Sequence, residues 1–173
     1  MRASITDEMK QNRELVDAHN ALWASALSGA SGTALFWWWE RLDERNVYAL
    51  YRPVSAFVAD VPWTSGELRP AALGVEDQRL RVVGLQARDR AWLWLFHRAA
   101  SWKATVTDQH PPPELSDVAL ELREMPEGAY RVEWWDTRTG NVQKTDQTES
   151  RGRVLRLSAP AFTRDLAVKV KPR

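Results

Sequence analysis

The feature that most constrains this chain is a change of hydrophobic period near residue 79. From there to the end, short segments rich in β-branched and aromatic residues alternate apolar with polar positions, which is typical of strands in a sheet. Seven such segments read RLRVVGLQA, RAWLWLFHR, DVALELREM, AYRVEWWDT, NVQKTDQTE, RVLRLSA and DLAVKVK. The pattern predicts an antiparallel sandwich of about seven strands over residues 79–173, which we expect to fold alone.

Residues 1–60 predict a helix, a strand and a second helix. The first helix carries an apolar stripe at helical spacing and is expected to end at Gly29 or Gly32. The segment TALFWWWE then predicts a strand, and NVYALYRPVSAFVADV predicts a helical stretch with a break near Pro53. The intervening residues 61–78 predict a linker.

Composition excludes several classes of function. The 173 residues carry 24 Lys and Arg against 23 Asp and Glu, so the net charge of +1 favours neither a nucleic-acid partner nor an anionic membrane. Cysteine is absent and the three histidines are scattered, so the sequence predicts neither a metal site nor a cofactor. Because no run approaches the length of a membrane span, we expect no such span, and any secretion signal is expected to be absent or upstream.

Two stretches resemble consecutive parts of a clan A glycoside hydrolase of the cellulase-like, family 5-related type. The first is LVDAHNALWASALSGASGTALFWWWERLDERNVYALYRPVSAFVADV, and the second comprises GAYRVEWWDTRTGNV and LRLSAPAFTRDLAVKV. The resemblance implies an α+β chain: the last helix, strand and helix of a (β/α)8 barrel, followed by an antiparallel immunoglobulin-like sandwich sometimes called a putative collagen-binding domain. It also implies an extracellular protein, if a signal lies upstream.

The same resemblance implies that the chain alone is inactive. Retaining enzymes of this clan use two glutamates, an acid/base after the fourth strand and a nucleophile on the seventh. If TALFWWWE is the eighth strand, both lie upstream of Met1, and no catalytic residue can be assigned in this chain. Glu40 follows the tryptophans and would face the barrel mouth, although a charged residue at a strand end is commonly just solvated.

Three consecutive tryptophans are the predicted substrate contacts. In a strand Trp37 and Trp39 share one face and Trp38 takes the other, so at least one indole could stack on a sugar ring, with Glu40 bonding its hydroxyls. The substrate-binding prediction therefore comprises these four residues. The alternative is that all three indoles belong to a buried core.

Other aromatic and histidine residues have two interpretations. Trp134, Trp135 and Asp136 could form a carbohydrate patch on the sandwich, or one indole could be core while Asp136 begins a turn. His19 could reach the barrel mouth, or pack against Trp23 on its helix.

Alternation also places two further tryptophans together. Trp92 and Trp94 share one face of AWLWLFH, which fits the core of a sheet better than an exposed sugar platform. His97, at the end of that segment, is predicted to be structural.

Two classes of function follow. The first is the C-terminal part of a glycoside hydrolase, with carbohydrate as ligand and either the missing barrel portion or self-association covering the apolar surface around Leu35 to Trp39. The second is a free-standing, non-catalytic module that binds carbohydrate or protein.

Overall fold

A computed structural model describes residues 15–30, 32–35, 39–44 and 46–173 of the chain, apart from the side chains at 39 and 41. Among these residues, the first part forms three α-helices: α1 (Val16–Leu27), α2 (Trp39–Glu44) and α3 (Tyr51–Val58). A short 3-10 helix, Val47–Leu50, leads directly into α3. A π-helical turn, Lys103–Thr107, follows the fourth strand.

Within the described part of the chain, nine strands form two sheets in which every pairing is antiparallel. The larger sheet has the order β1-β3-β4-β9-β6-β7, and the smaller one has the order β2-β5-β8. The strands are β1 (Arg69–Pro70), β2 (Leu73–Gly74), β3 (Leu80–Gln86), β4 (Ala91–His97), β5 (Ala119–Arg123), β6 (Gly128–Trp135), β7 (Val142–Ser150), β8 (Val154–Ser158) and β9 (Asp165–Pro172).

The seven strands that alternation predicts are all present, as β3 to β9. The remaining two are β1 and β2, which come from the predicted linker 61–78 and each add a short edge strand to one sheet. They are only two residues long, too short for alternation to be visible in the sequence. The fold is therefore α+β with two antiparallel sheets, while the assignment of residues 1–60, 61–78 and 79–173 to separate units stays a prediction.

The space between the sheets holds the main apolar core. Side chains from the inner face of the six-stranded sheet, such as Leu93, Leu95 and Val168, are fully buried against Leu122 and Leu155 of the smaller sheet. The buried apolar area of this cluster is the chief stabilising contribution to the sandwich. An immunoglobulin-like topology stays a prediction.

A second apolar cluster covers the outer face of the six-stranded sheet. Here α1 contributes Leu22, Trp23 and Leu27, and α3 contributes Val54 and Phe57. Their partners on the sheet include Leu85, Trp92, Trp94 and Ala167. The helical segment and the sandwich thus share a core, and we call the contact between them the helix–sheet interface.

The predicted first helix is present where it is described. Val16–Leu27 buries the expected stripe, and Gly29, with φ 82°, follows its C-cap in the left-handed conformation that ends many helices. The expected break near Pro53 is a change of helix type instead, because the 3-10 turn gives way to α3 at Tyr51. Proline is tolerated there since first-turn N–H groups have no intrahelical partner.

The predicted strand TALFWWWE is wrong where the structure describes it. Residues 33–35 are irregular, and the end of the segment is helical, since α2 begins at Trp39 and includes Glu40. A strand needs a neighbour to satisfy its backbone groups, and the described residues before Arg69 contain no strand that could pair with it. The described residues therefore show no helix–strand–helix unit, and the barrel remnant stays a prediction.

Candidate functional site

The predicted sugar contacts lie in the connection between α1 and α3. Trp37 and Trp38 fall outside the described residues, and Trp39 is the first residue of α2. Glu40 is exposed in the first turn of that helix, and Leu35 nearby has 92% of its surface exposed. The structure therefore shows a solvated Glu40 on a short helix, not at the end of a strand.

The alternative carbohydrate patch, Trp134, Trp135 and Asp136, does not present a pair of exposed indoles on which a sugar could stack. Trp134 points into the main core and is 1% exposed, with its indole Nε1 donating to Asp146 Oδ2 at 2.8 Å. Trp135 points to the opposite side and packs edge-on against Phe57. Asp136 begins the predicted turn, where its carboxylate accepts the backbone N–H of Arg138 at 2.8 Å. Core and turn, the second interpretation, account for all three predicted residues.

Titratable residues converge instead at the helix–sheet interface. His19 of α1 is bonded through Nε2 to Asp165 Oδ2 of β9 at 2.7 Å, and the indole Nε1 of Trp94 donates to the same oxygen at 2.7 Å. The Asp165 side chain is only 5% exposed. Burial alone would raise the pKa of this carboxyl, but the hydrogen bond and charge of His19, with further bonds from Trp94 and Thr137, lower it overall.

A second carboxylate anchors the other side of the interface. Asp60, just after α3, accepts Lys169 Nζ of β9 at 2.7 Å and the indole Nε1 of Trp92 at 3.0 Å, both on Oδ1. The Lys169 ammonium also lies 5.2 Å from the centre of the Phe57 ring and 4.7 Å from that of Trp135. Burial raises the pKa of Asp60, but the bonds from Lys169 and Trp92 outweigh it and lower the pKa.

The two anchors have crossed polarity. In one, the helix side supplies a base, His19, and the sheet supplies the carboxylate; in the other, the sheet supplies the base, Lys169, and the helix side supplies the carboxylate of Asp60. Each carboxylate contacts one basic side chain and one indole N–H. Carboxylates occupied in this way stabilise and orient packed elements, and their lowered pKa disfavours a role as general acid at neutral pH.

His97 and His19 are both buried and make contacts within the fold. His97 is 3% exposed, and its Nδ1 accepts the backbone N–H of Ala99 at 2.9 Å. Burial and the nearby charge of Arg79 lower the pKa of His97, which favours the neutral form. His19 likewise is buried, at a ring-centroid distance of 6.3 Å from Trp23. These contacts agree with the predicted structural role of His97 and, for His19, with the second interpretation, packing against Trp23.

No sequence pattern pointed directly to the two anchors. Alternation places Trp92 and Trp94 on one face of their strand. Lys169 stands between two valines in LAVKV, so it is a charged residue within an apolar strand. A lysine on the covered face of a sheet is an indication of a buried partner. Its identity, Asp60, is 109 positions away and could not be read from spacing.

Two further properties concern the described residues. Within them, no group of three or more His, Asp or Glu side chains is placed to hold a metal ion. None of the helices in that part of the chain is long and apolar enough to cross a membrane.

Comparison with solved structures finds carbohydrate-active enzymes. A cycloisomaltooligosaccharide glucanotransferase from Paenibacillus sp., in complex with cycloisomaltoheptaose, aligns with 87% of this chain at a TM-score of 0.52 and 10% identity. A glycoside hydrolase aligns with 83% at a TM-score of 0.47 and 13% identity, and a family 5 glycoside hydrolase from Bacteroides vulgatus with 78% at 0.43 and 12%. At these identities the likeness concerns the fold alone.

The alignments cover only part of each neighbour. This chain spans 29% of the glycoside hydrolase, 26% of the glucanotransferase and 26% of the family 5 enzyme. No protein-family model matches the sequence, and no curated protein is significantly similar to it.

Proposed function

We propose that this chain is the C-terminal, non-catalytic part of a glycoside hydrolase that acts on oligosaccharide or polysaccharide. The fold likeness to a glucanotransferase over 87% of this chain supports a carbohydrate-related function, and the 26% of that enzyme which is covered agrees with a portion of a larger enzyme. The sequence resemblance to the end of a clan A barrel points the same way.

The observation that carries this proposal is the helix–sheet interface. The buried anchor between His19 and Asp165, the half-buried anchor between Asp60 and Lys169 and the shared apolar cluster fix the helical segment to the sandwich. If α1 and α3 are the last helices of a barrel, the same contacts hold the sandwich rigidly against it. The sandwich would then act as a support for the catalytic domain.

Within this proposal, Trp37, Trp38, Trp39 and Glu40 contribute to the sugar cleft. Glu40 is exposed, and the exposed Leu35 lies on the same connection between α1 and α3, which supports an apolar contact with another part of the enzyme. Glu40 would hydrogen-bond substrate hydroxyls and would not serve as acid or nucleophile, because the resemblance puts both catalytic glutamates upstream.

The proposal is tested by comparing this chain with the longest reading frame that contains it. We expect hydrolysis of aryl glycosides and polysaccharides by the longer product and none by the 173-residue chain. Glu40→Gln in the longer product should raise KM more than it lowers kcat, with Asp43→Asn, an exposed neighbour on α2, as the control. Turnover by the short chain, or a longer product without glycosidase activity, would contradict the proposal.

A free-standing binding module is the second candidate. It is favoured by the shared core, since α1 and α3 already bury their apolar residues on the sheet without any further domain. This candidate predicts that no longer glycosidase frame exists and that the chain is a monomer that retains a polysaccharide without cleaving it.

A further inference from the structure

The outer face of the three-stranded sheet forms a groove on the side of the sandwich away from the helices. The inner face of this sheet packs on the main core, whereas α1 and α3 cover the far side of the other sheet. The groove has a volume of about 530 Å³, within the usual range of roughly 300–1,000 Å³ for small-molecule sites. Its location separates it from both anchors.

Small residues make the groove floor. Gly74 of β2 pairs with Glu121 of β5, which pairs in turn with Arg156 of β8, so the three stand in one row across the sheet. Ala119 lies two residues before Glu121 on the same face. A side chain at Gly74 would collide with Arg123, since an added Cβ would lie 2.7 Å from its Nη2. The glycine therefore lets the guanidinium lie across the edge strand.

One carboxylate positions two guanidinium groups. Glu121 Oε2 accepts Arg123 Nη2 at 3.2 Å, and its Oε1 lies 3.5 Å from Arg156 Nε. Both arginine side chains remain more than half exposed, at 55% and 85%. Each guanidinium has five N–H donors, so both retain donors that can face a ligand while the carboxylate limits their motion.

We propose that this groove binds a neutral oligosaccharide. Arg123 and Arg156 are balanced by Glu121 and Glu76, so the lining has no net charge that would select an anion or a cation. Donors and acceptors lie side by side over a floor made by Gly74 and the apolar methyl group of Ala119, which matches hydroxyl groups beside the C–H face of a sugar ring. The inference rests on the carbohydrate-related function proposed above and adds a second binding site.

The test is a titration of the ¹⁵N-labelled 173-residue chain, followed by two-dimensional NMR. The probes are isomaltoheptaose, cellohexaose and xylohexaose, with an oligogalacturonate as the anionic comparison. At least one neutral probe should cause saturable shifts at the amides of Gly74, Ala119 and Glu121. Arg123→Ala should weaken its binding about tenfold, the loss expected for one hydrogen bond to a charged group.

Arg151→Ala is the matched control, because Arg151 bonds Glu149 two residues before it, at 2.9 Å, just as Arg123 bonds Glu121, but on another surface. It should leave affinity unchanged. The proposal is overturned if no neutral probe binds, if Arg123→Ala leaves the affinity for the neutral probe unchanged, or if the oligogalacturonate binds more tightly than the neutral probes. Since hydrolysis by the longer product is measured separately, failure of the groove leaves the proposed enzyme portion intact.

Discussion

The two faces of the six-stranded sheet are covered in different ways. Its inner face meets the small sheet through leucine and valine side chains, whereas its outer face meets the helices through indoles, an ammonium and two carboxylates. Apolar contacts are not directional, so they stabilise burial without selecting one arrangement. Hydrogen-bonded charges penalise any displacement that leaves them unpaired, so we infer that the outer face defines how the helices sit.

The largest effect is expected when the helical segment that covers the outer face of the six-stranded sheet is removed. A variant comprising residues 61–173 would expose Trp92, Trp94 and Ala167 and would remove His19 from Asp165 and Asp60 from Lys169. We expect it to self-associate or to lose cooperative unfolding, measured by size-exclusion chromatography and thermal circular dichroism against the full chain. A monomer with dispersed amide signals would instead support the sequence-based expectation that residues 79–173 fold alone.

The next test breaks one buried anchor. Asp165→Ala leaves His19 and the Trp94 N–H without their acceptor and should lower the free energy of unfolding by about 3–5 kcal/mol in denaturant titrations. Asp146→Ala is the control, since Asp146 also accepts an indole N–H, from Trp134 at 2.8 Å, but its side chain is 33% exposed. Equal losses in the two variants would show that the outer anchor has no special importance.

Leu93→Ala probes the inner face. Leu93 is fully buried in the main core, so its truncation should cost about 2–5 kcal/mol. Unlike the loss in Asp165→Ala, this loss should be the same at pH 7 and at pH 2, because no titratable group is removed. Unfolding curves of both variants at the two pH values provide the measurement, and a strongly pH-dependent loss in Leu93→Ala would contradict the division between faces.

Acidification should weaken the outer face selectively. The pKa values of Asp165 and Asp60 are lowered in the folded chain, so their contribution is present above the unfolded value, about 3.9, and is lost as pH falls below it. The free energy of unfolding should therefore fall on acidification, with a smaller slope in Asp165→Ala. An unchanged slope in that variant would mean that other carboxylates dominate the acid response.

The smallest expected effect concerns Gly140, in the turn after β6. Its φ is 74°, and an added Cβ would lie 3.0 Å from Cα of Pro53 in α3. Gly140→Ala should cost about 1–2 kcal/mol for the left-handed backbone, plus a loss from the crowded contact. Gly152→Ala is the control, because Gly152 has φ 61° with nothing near its would-be Cβ. Equal decreases in melting temperature in the two variants would show that the contact between Gly140 and Pro53 has no effect on stability.

Alternation predicted the seven long strands because most of them place one or both faces in a core, a purely local consequence of the pleat. It failed for TALFWWWE, since an apolar run can be strand or helix and the choice depends on which neighbours are available to pair. The site was predicted less well. Trp135 and Lys169 meet only because β6 pairs with β9, and Asp60 reaches Lys169 only through the position of α3. Contacts between residues this far apart in the chain produce no periodic pattern in the sequence.

The crossed anchors also set a rule for recombining this sandwich with other proteins. A donor helical segment would have to supply an acid where Asp60 stands and a base where His19 stands, in that spatial order, to match Lys169 and Asp165. A segment with the two charges interchanged would place like beside like at both ends and should fail to dock. We therefore expect a chimaera to fold only if His19, Asp60, Asp165 and Lys169, or equivalents of all four, are kept together.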